Sequence, residues 1–289
     1  MSAGELRFAN INSRASLVVT ATDDHGGTAV DLEVASGGVL PSDPMACLAR
    51  WPEVRAFASS TRGDARRFEA ADLAAQSPRP AQVFGIGLNY REHAVETAAT
   101  IPTTPLTFTK FASSINAPHG DIVIDVPTAD WEVELVAVIG AGGSSISQAR
   151  AWDAVAGLCV GQDVSDRLLQ RATQPPQFSL GKSRRGYSPF GPWLVDAASV
   201  AERDALTMHC TLDGEEVQRT VTDDMIFTVP QLVAYLSTIV ELLPGDVIYT
   251  GTPNGVGAAR TPPRFLQPGN VIVSTIDGIG SITNRCVGA

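Results

Sequence analysis

The chain has 289 residues, which is enough to form one large domain with a small accessory unit. Its 31 acidic residues outnumber 21 basic ones, and the net charge of −10 argues against broad binding to nucleic acid or anionic membranes. Hydrophobic residues make up 44% and charged residues 18% of the chain, proportions that exclude an intrinsically disordered protein.

The N-terminal segment MSAGELRFAN carries charged residues and no apolar core, so we expect no signal peptide. No run of about 18 consecutive apolar residues is present, so we expect no membrane span. Cys47, Cys159, Cys210 and Cys286 form no CxxC pair, which favours reduced thiols over disulfides or a zinc site. Together these features predict a cytoplasmic protein.

Residues 1–76 predict a small N-terminal domain that contains β-strands. Segments 6–11 and 16–22 are read as strands because both are rich in apolar residues. Asp43 followed by Pro44 is typical of the cap and first turn of a helix, and we expect one helix to run from there to residue 58.

The turn-rich stretch 77–80 separates this unit from a predicted catalytic domain over residues 81–289. A buried strand is predicted at 81–88 and a helix at 89–98. The other predicted elements are strands at 121–126, 131–140, 157–163, 191–195, 207–214, 245–251 and 269–287, and helices at 146–157 and 229–242. Because strands outnumber helices and few β–α–β alternations occur, the pattern predicts an α+β, β-rich fold.

Glu132 and Glu134 lie in the apolar segment 131–140, which predicts a strand buried on both faces. Residues two apart on a strand project from the same face, so the two carboxylates are expected to point the same way. Burying them is costly unless cations or hydrogen bonds compensate their charge. Two interpretations remain open: both acids reach water or pair with arginines, or both ligate a hard cation such as Mg²⁺ or Ca²⁺.

Asp163 is a third acid that ends an apolar strand, where its side chain is able to face a cleft. Three carboxylates at buried strand ends match the oxygen-rich coordination of a divalent ion. The alternative is that Asp163 only caps a helix that begins at Val164.

The same region also resembles a dinucleotide-binding fingerprint, because VAVIGAGG is a strand followed by glycines and then by a predicted helix. Ser145 occupies the third glycine position of that motif, and two buried glutamates are unusual in its first strand. We therefore disfavour a dinucleotide site.

His93 and Glu96 lie three residues apart on the predicted helix, so they share one face and are able to hydrogen-bond. A carboxylate orients an imidazole and raises its basicity, as a general base for water activation requires. A solvated pair without a function is the alternative. Lys182 lies in a turn-rich segment from which it is able to project into a site, and Thr252 follows a strand in a glycine-rich loop suited to holding a carboxylate.

Taken in order, these segments resemble the fumarylacetoacetate hydrolase family over about residues 83–287. The matching motifs are GLNYREHAVE, PLTFTKFASSI, WEVELVAVIG, GQDVSDRLLQ, LGKSRRGYSPFGP, GDVIYTGTPNGVG, PPRFLQPGN and DGIGSITNR. The resemblance implies a mixed β-roll catalytic domain with short helices and a homodimer with one site per subunit. The first 75 residues resemble the small N-terminal region of bacterial members.

The resemblance also implies roles for individual residues. It makes Glu132, Glu134 and Asp163 the ligands of Mg²⁺ or Mn²⁺, with Ca²⁺ as an alternative. It implies catalytic roles for His93 and Glu96, carried on a lid helix, and for Lys182 at the substrate carbonyl. The residues that it assigns to substrate binding are Arg167, Gln170, Tyr187 and Thr252.

Arg184 and Arg185 depart from the family pattern, which often has Phe-Asp after the Lys-Ser pair. Leu168 and Leu169 also replace a common Asp-Trp. Two interpretations of the arginines remain open. They are solvent-facing charges, or one of them binds a second carboxylate of a diacid substrate such as fumarylpyruvate.

The predicted function is therefore divalent-metal-dependent hydrolysis of a C–C bond in an acylpyruvate or related 1,3-dicarbonyl acid, through a metal-bound enolate. Other members of the family act as oxaloacetate decarboxylases or tautomerases, or as 2-oxo-4-enoate hydratases or isomerases, and these activities are the alternatives. A non-enzymatic binding protein is disfavoured by the complete set of acids together with His93, Glu96 and Lys182.

Overall fold

The computed structural model describes residues 5–22, 26–59 and 64–289. Within these residues the strands are β1 (Arg7–Ile11), β2 (Arg14–Ala21), β3 (Gly27–Asp31), β4 (Arg66–Phe68), β5 (Leu73–Ala74), β6 (Val83–Gly87), β7 (Leu106–Thr109), β8 (Ile115–Asn116), β9 (Ile122–Ile124), β10 (Ala129–Asp130), β11 (Val133–Ile139), β12 (Val155–Gln162), β13 (Ser165–Asp166), β14 (Ser188–Asp196), β15 (Thr207–Leu212), β16 (Glu215–Val221), β17 (Val247–Tyr249), β18 (Val271–Ile276) and β19 (Gly280–Gly288).

The α-helices of the described residues are short: α1 (Leu32–Ala35), α2 (Pro44–Leu48), α3 (Trp51–Ala58), α4 (Arg91–Glu96), α5 (Ala151–Ala154), α6 (Arg167–Gln170) and α7 (Val229–Ser237). Single 3₁₀ turns lie at Ala70–Asp72, Ala112–Ser114, Gln148–Arg150, Thr222–Asp224 and Gly257–Ala259. None of these helices is long and apolar enough to cross a membrane.

Most of the strands form one large sheet with the order β4-β3-β2-β1-β14-β12-β11-β17-β6-β7. The pairing is antiparallel along this order except between β17 and β6, which run parallel. A second sheet has the order β16-β15-β18-β19-β9 and packs against β11, β12 and β14 of the first. The predicted α+β, β-rich fold class is confirmed.

Strand β11 has one face in each of two hydrophobic cores, because successive side chains of a strand point to opposite faces. Val133 and Leu135 belong to the core between the two sheets. Val136 and Val138 belong to the core that the N-terminal helices cover. The prediction that this strand is buried on both faces is confirmed, and its ends are therefore held rigidly.

The sheet continues across the predicted domain boundary. Strand β1 pairs with β14, where Phe8 lies opposite Leu194, and Trp51 packs in the same core as Val136. The division into domains at 1–76 and 81–289 stays a prediction.

One predicted helix is interrupted, and two others end earlier than expected. The helix over 43–58 is two helices, because Pro52 lacks an N–H and its ring is incompatible with a continuous turn from α2. The helix over 146–157 keeps only Ala151–Ala154, since Val155 already begins β12 and pairs with Ile139. The helix over 229–242 ends at Ser237.

Candidate metal centre and adjoining cleft

Three acids meet at one edge of the β11–β12 pair. Glu132 directly precedes β11 and Asp163 directly follows β12, and the antiparallel pairing of Val133 with Gln162 brings the two ends together. The backbone N–H of Asp163 donates to the carbonyl of Glu132 at 2.9 Å. Glu134 lies two residues further along β11, and carboxylate oxygens of the three acids lie within 4.8 Å of one another.

Three cations surround these acids, of which Lys110 and Lys182 are buried and Arg167 is half-buried. Lys182 Nζ donates to Glu132 Oε2 at 2.5 Å and to Asp163 Oδ2 at 2.8 Å. Arg167 pairs with the other oxygen of Glu132 at 2.6 Å. Lys110 donates to the remaining oxygen of Asp163 and, at 2.6 Å, to the carbonyl of Lys182. Ion pairs with Glu132 and Asp163 thus largely compensate their charge.

Glu134 differs from the other two acids, because it makes no ion pair with any residue that the structure describes. Its Oε2 accepts the backbone N–H of Gly251 at 2.8 Å. Gly251 has φ +104°, and a Cβ there would lie 2.6 Å from the Cβ of Asn89, so only glycine brings this N–H so close. The glycine-rich loop therefore supports a metal-ligand candidate directly.

The electrostatics of the two glutamates are opposite. Burial acts to raise the pKa of Glu132, but the charges of Lys182 and Arg167 outweigh it and lower that pKa to about 2. Burial, together with the negative charges of Asp163 and Glu132, raises the pKa of Glu134 well above its usual value. Glu134 is thus the acid of the centre whose negative charge is least compensated.

The donor set fits a divalent cation. Three buried carboxylates converge, one of them lacks a cation partner, and hard cations such as Mg²⁺ and Mn²⁺ prefer oxygen ligands. A cation at this point would supply the positive charge that balances Glu134. Of the two interpretations of Glu132 and Glu134, the geometry favours the metal site, although Glu132 also pairs with Arg167 as the alternative expected.

A cleft of about 360 Å³ adjoins the centre. Its polar lining includes His93, Glu96, Glu132, Arg167, Lys182 and Thr252. Its apolar walls include Ile86, Phe108, Phe178 and Val256. The structure therefore brings most of the predicted site residues to one cavity that is large enough for a small organic acid.

His93 and Glu96 form the predicted hydrogen bond on α4, with Nδ1 and Oε2 separated by 2.9 Å. Glu96 Oε1 accepts the backbone N–H of Gly255 at 2.8 Å. Arg91, at the start of the helix, donates to the carbonyls of Asp224 and Met225. Contacts at both ends thus hold α4 against the rest of the chain and fix the imidazole at the cleft.

Thr252 is held by Gln218, a buried residue of β16 that the sequence analysis did not identify. Gln218 Nε2 donates to Thr252 Oγ1 at 2.9 Å and to the carbonyl of Pro253 at 3.0 Å, and its Oε1 accepts the N–H of Val133 at 3.0 Å. Because the threonine oxygen accepts this bond, its hydroxyl hydrogen is left to donate into the cleft.

We expect Gln218→Leu to lower the free energy of unfolding by about 1–3 kcal/mol, because the buried N–H of Val133 loses its acceptor. Urea denaturation of the variant and the parent measures this change. Gln218→Glu is the matched control, since it keeps an acceptor for Val133 but not the donor to Thr252. Equal stability of the leucine variant and the parent would contradict the bridging role.

The remaining predicted residues lie in different surroundings. Gln170 lines the cleft and its Oε1 accepts a hydrogen bond from Arg167 at 3.1 Å. Tyr187 is fully buried, its hydroxyl finds no partner in the described part of the chain, and it does not line the cleft. Its carbonyl accepts from Lys110 at 3.3 Å.

Arg184 and Arg185 do not line the cleft either. Arg184 donates to Asp166 Oδ2 at 2.9 Å and pairs with Asp125 at 3.1 Å, whereas Arg185 is exposed. These contacts agree with the interpretation of surface charges and give no support to a substrate-selecting role.

Three charged residues of the site were missed in the sequence. Lys110 lies within the quoted motif PLTFTKFASSI, where a lysine in an apolar strand was the available signal. Asp130 is fully buried and accepts from Arg167 Nε at 2.8 Å and from the N–H of Gly257 at 2.7 Å. Arg171 lines the cleft, and no local pattern distinguishes it from a surface arginine.

A sheet-rich α+β fold with three converging buried carboxylates beside a cleft defines a class of protein able to hold a divalent cation next to a small molecule. The family comparison makes this assignment specific. The model of the fumarylacetoacetate (FAA) hydrolase C-terminal domain matches residues 82–287, and the chain belongs to this family of enzymes.

Individual relatives agree with that assignment. The mitochondrial oxaloacetate tautomerase of Homo sapiens is 42% identical over 211 residues, which cover 72% of this chain and 67% of the relative. A crystal structure from Mycobacterium smegmatis has 42% identity and a TM-score of 0.90, covering 98% of this chain and 99% of the other. The structure of fumarylacetoacetate hydrolase from Exiguobacterium antarcticum has 28% identity and a TM-score of 0.83, covering 98% of this chain and 100% of the other.

Proposed function

We propose that this enzyme hydrolyses a C–C bond in an acylpyruvate or a related 1,3-dicarbonyl acid, with Mg²⁺ or Mn²⁺ as its cation. The observation that carries the proposal is the His93–Glu96 pair, which lines the same cleft as Glu132 and Lys182. Hydrolysis needs a base that activates water, and the cleft offers one in a defined orientation.

Glu132, Glu134 and Asp163 would hold the divalent cation. When bound, such a cation supplies electrophilic stabilisation to the carboxylate and keto oxygens of a 2-oxo acid. Arg167 keeps Glu132 in place through a 2.6 Å ion pair, and the Thr252 hydroxyl, whose oxygen accepts from Gln218, would donate its hydrogen to the substrate. These residues would orient the acid end of the substrate.

His93 would take the proton from the attacking water. The Glu96 carboxylate accepts a hydrogen bond from Nδ1, and this leaves Nε2 as the unprotonated nitrogen of a neutral ring. A proton taken by Nε2 gives an imidazolium that the same carboxylate stabilises. Water so activated would attack the carbonyl distal to the carboxylate.

Lys182 would stabilise the oxyanion formed by this attack. Burial acts to lower the pKa of Lys182, but the charges of Asp163 and Glu132 outweigh it and raise that pKa. The ammonium therefore stays protonated at neutral pH and acts as a hydrogen-bond donor rather than as a base. Collapse of the adduct breaks the C–C bond and leaves the acyl group as a carboxylic acid. The proton held by His93 then goes to the carbon of the departing enolate, which becomes the released 2-oxo acid.

Oxaloacetate tautomerisation or decarboxylation is the second candidate. The human relative named as an oxaloacetate tautomerase, at 42% identity, favours it. Tautomerisation moves a proton between carbon and oxygen, and His93 is able to carry that proton at the same position in the cleft. An isomerase or hydratase of the same family would use the same residues.

Three further points are part of this proposal. The 2-oxo acid is the small-molecule partner, the enzyme is a homodimer, and it acts in the cytoplasm. Ca²⁺ is an alternative cation, because it accepts the same oxygen ligands. The homodimer is tested by light scattering of the purified protein.

We expect protein stripped with EDTA to lose turnover of acetylpyruvate and to regain it when Mg²⁺ or Mn²⁺ is restored. A panel of acylpyruvates and oxaloacetate, followed by release of pyruvate and by enol absorbance, separates hydrolysis from tautomerisation. Turnover of oxaloacetate alone would favour the second candidate. Equal rates with and without EDTA would contradict a metal-dependent reaction.

A further inference from the structure

Arg171 is a cleft-lining cation that pairs with no carboxylate of the described residues. Arg167 and Lys182 also line the cleft, but both are paired with acids of the metal centre. Arg171 is exposed, and its side chain makes no ion pair with any residue in the described ranges. The guanidinium of Arg171 is therefore available to an anion that enters the cleft.

The position of Arg171 relative to the metal centre is set by its spacing from Arg167. Residues four apart across a helical turn lie on the same face, with Cβ atoms about 5–6 Å apart. Arg167 begins α6 and contacts Glu132 directly, whereas Arg171 follows the end of this short helix. Both arginines line the same cleft, so a substrate held at the acids by one end is able to present its other end to Arg171.

The backbone that carries Arg171 is held in place. Asp166 caps α6 by accepting the N–H of Leu169 at 3.2 Å, and Thr128 Oγ1 accepts the N–H of Leu168 at 3.2 Å. The N–H of Arg171 itself donates to the carbonyl of Leu168 at 3.2 Å. The long side chain thus extends from a fixed point at the rim of the cleft.

The other walls of the cleft suit the carbon chain of such a substrate. Phe108 and Phe178 make an edge-to-face contact with ring centroids 5.8 Å apart. Lys182 Nζ lies over the Phe108 ring, 5.2 Å from the ring centroid. An unsaturated or aliphatic spacer packs on these rings, while charged groups are needed only at its two ends.

We infer that Arg171 binds a second carboxylate, at the end of the substrate opposite the 2-oxo acid, and that the preferred substrates are dicarboxylic 2-oxo acids. The inference rests on the proposed function for the position of the 2-oxo acid. A guanidinium binds a carboxylate through two parallel hydrogen bonds, which a lysine cannot reproduce.

The test compares fumarylpyruvate, a diacid, with acetylpyruvate, a monoacid, on the parent enzyme and on variants. We expect Arg171→Ala to lower kcat/KM for the diacid by about ten- to a hundredfold, as the loss of a charge-assisted pair predicts. The loss should lie mainly in KM, and the monoacid should be spared. Arg171→Lys should recover part of the loss, because it restores the charge without the planar geometry.

Arg285→Ala is the matched control, since Arg285 is an exposed arginine that does not line the cleft. Arg185→Ala tests the competing assignment. Equal losses on both substrates in Arg171→Ala, or a selective diacid loss in Arg185→Ala alone, would overturn the inference.

Binding measurements keep the two proposals separable. If the parent hydrolyses neither substrate, the proposed reaction fails, and calorimetry of the Mg²⁺-loaded protein with 2-oxoglutarate and 2-oxobutyrate then tests Arg171. Selective loss of 2-oxoglutarate affinity in Arg171→Ala supports the inference. Equal affinity of the parent for the two acids refutes it.

Discussion

Replacing Glu134 by alanine should abolish turnover and remove most of the thermal stabilisation that Mg²⁺ or Mn²⁺ confers. Glu134 is the acid of the centre with no ion pair among the described residues, so a bound cation is expected to depend on it most. A ligand at a hundred times its dissociation constant stabilises the native state by about 2.7 kcal/mol, and this contribution is what the variant loses.

Thermal unfolding with and without the cation measures this loss, and calorimetry measures the affinity directly. Glu134→Gln is the matched variant, because it keeps an oxygen for the N–H of Gly251 and removes only the charge. Since the negative charges of Asp163 and Glu132 raise the pKa of Glu134, loss of its charge relieves repulsion in the metal-free protein.

The metal-free glutamine variant should therefore unfold at the same temperature as the parent or at a higher one. An unchanged or higher unfolding temperature of the metal-free variant distinguishes loss of a metal ligand from a folding defect. If a triple variant of Glu132, Glu134 and Asp163 binds Mn²⁺ as tightly as the parent, the metal site lies elsewhere.

Replacing His93 by alanine should reduce kcat for acylpyruvate hydrolysis by about 10²–10⁴-fold, the usual contribution of a general base. Cation affinity should not change, because His93 is not one of the three converging acids. Steady-state kinetics together with calorimetry on the same preparation test both parts. Unchanged hydrolysis in this variant would end the water-activation role.

Glu96→Gln provides a more specific test of the same mechanism. The N–H of Gly255 requires an acceptor, so the amide oxygen should take that position and the amide nitrogen should face Nδ1 of His93. The proton would then reside on Nε2, and the imidazole could not accept one from water. We expect a loss close to that of His93→Ala, whereas oxaloacetate decarboxylation, which needs no activated water, should keep much of its rate.

The convergence of the three acids was predictable from the sequence, because most of its signal is local. Glu132 and Glu134 are two apart in an apolar run, and a strand places such residues on one face. Asp163 required knowledge that β11 and β12 pair, and the order of the motifs supplied it through the family resemblance. The strand segments were also predictable, since alternation and turn residues are local features.

Residues that act through tertiary contacts were not predictable in the same way. Gln218 reaches Thr252 and Val133 from a different sheet, and nothing in its local segment indicates this. Arg184 and Arg171 look alike in sequence, yet Arg184 is held by Asp166 and Asp125, whereas Arg171 faces the cleft. Which arginine is available depends on the partners that the fold brings to it.

The strand that presents Glu134 has one face in each of two hydrophobic cores, and the N-terminal region therefore helps to position this metal-ligand candidate. Val136 and Val138 share one core with Phe8 and Trp51, which are far from the metal ligands in sequence. The N-terminal region keeps this strand in place only if it supplies an apolar surface of the same shape. A substitution at the inner face of the N-terminal region therefore affects the core beneath Glu134, whereas a substitution on its exposed face does not, and the N-terminal region supports the catalytic chemistry from behind.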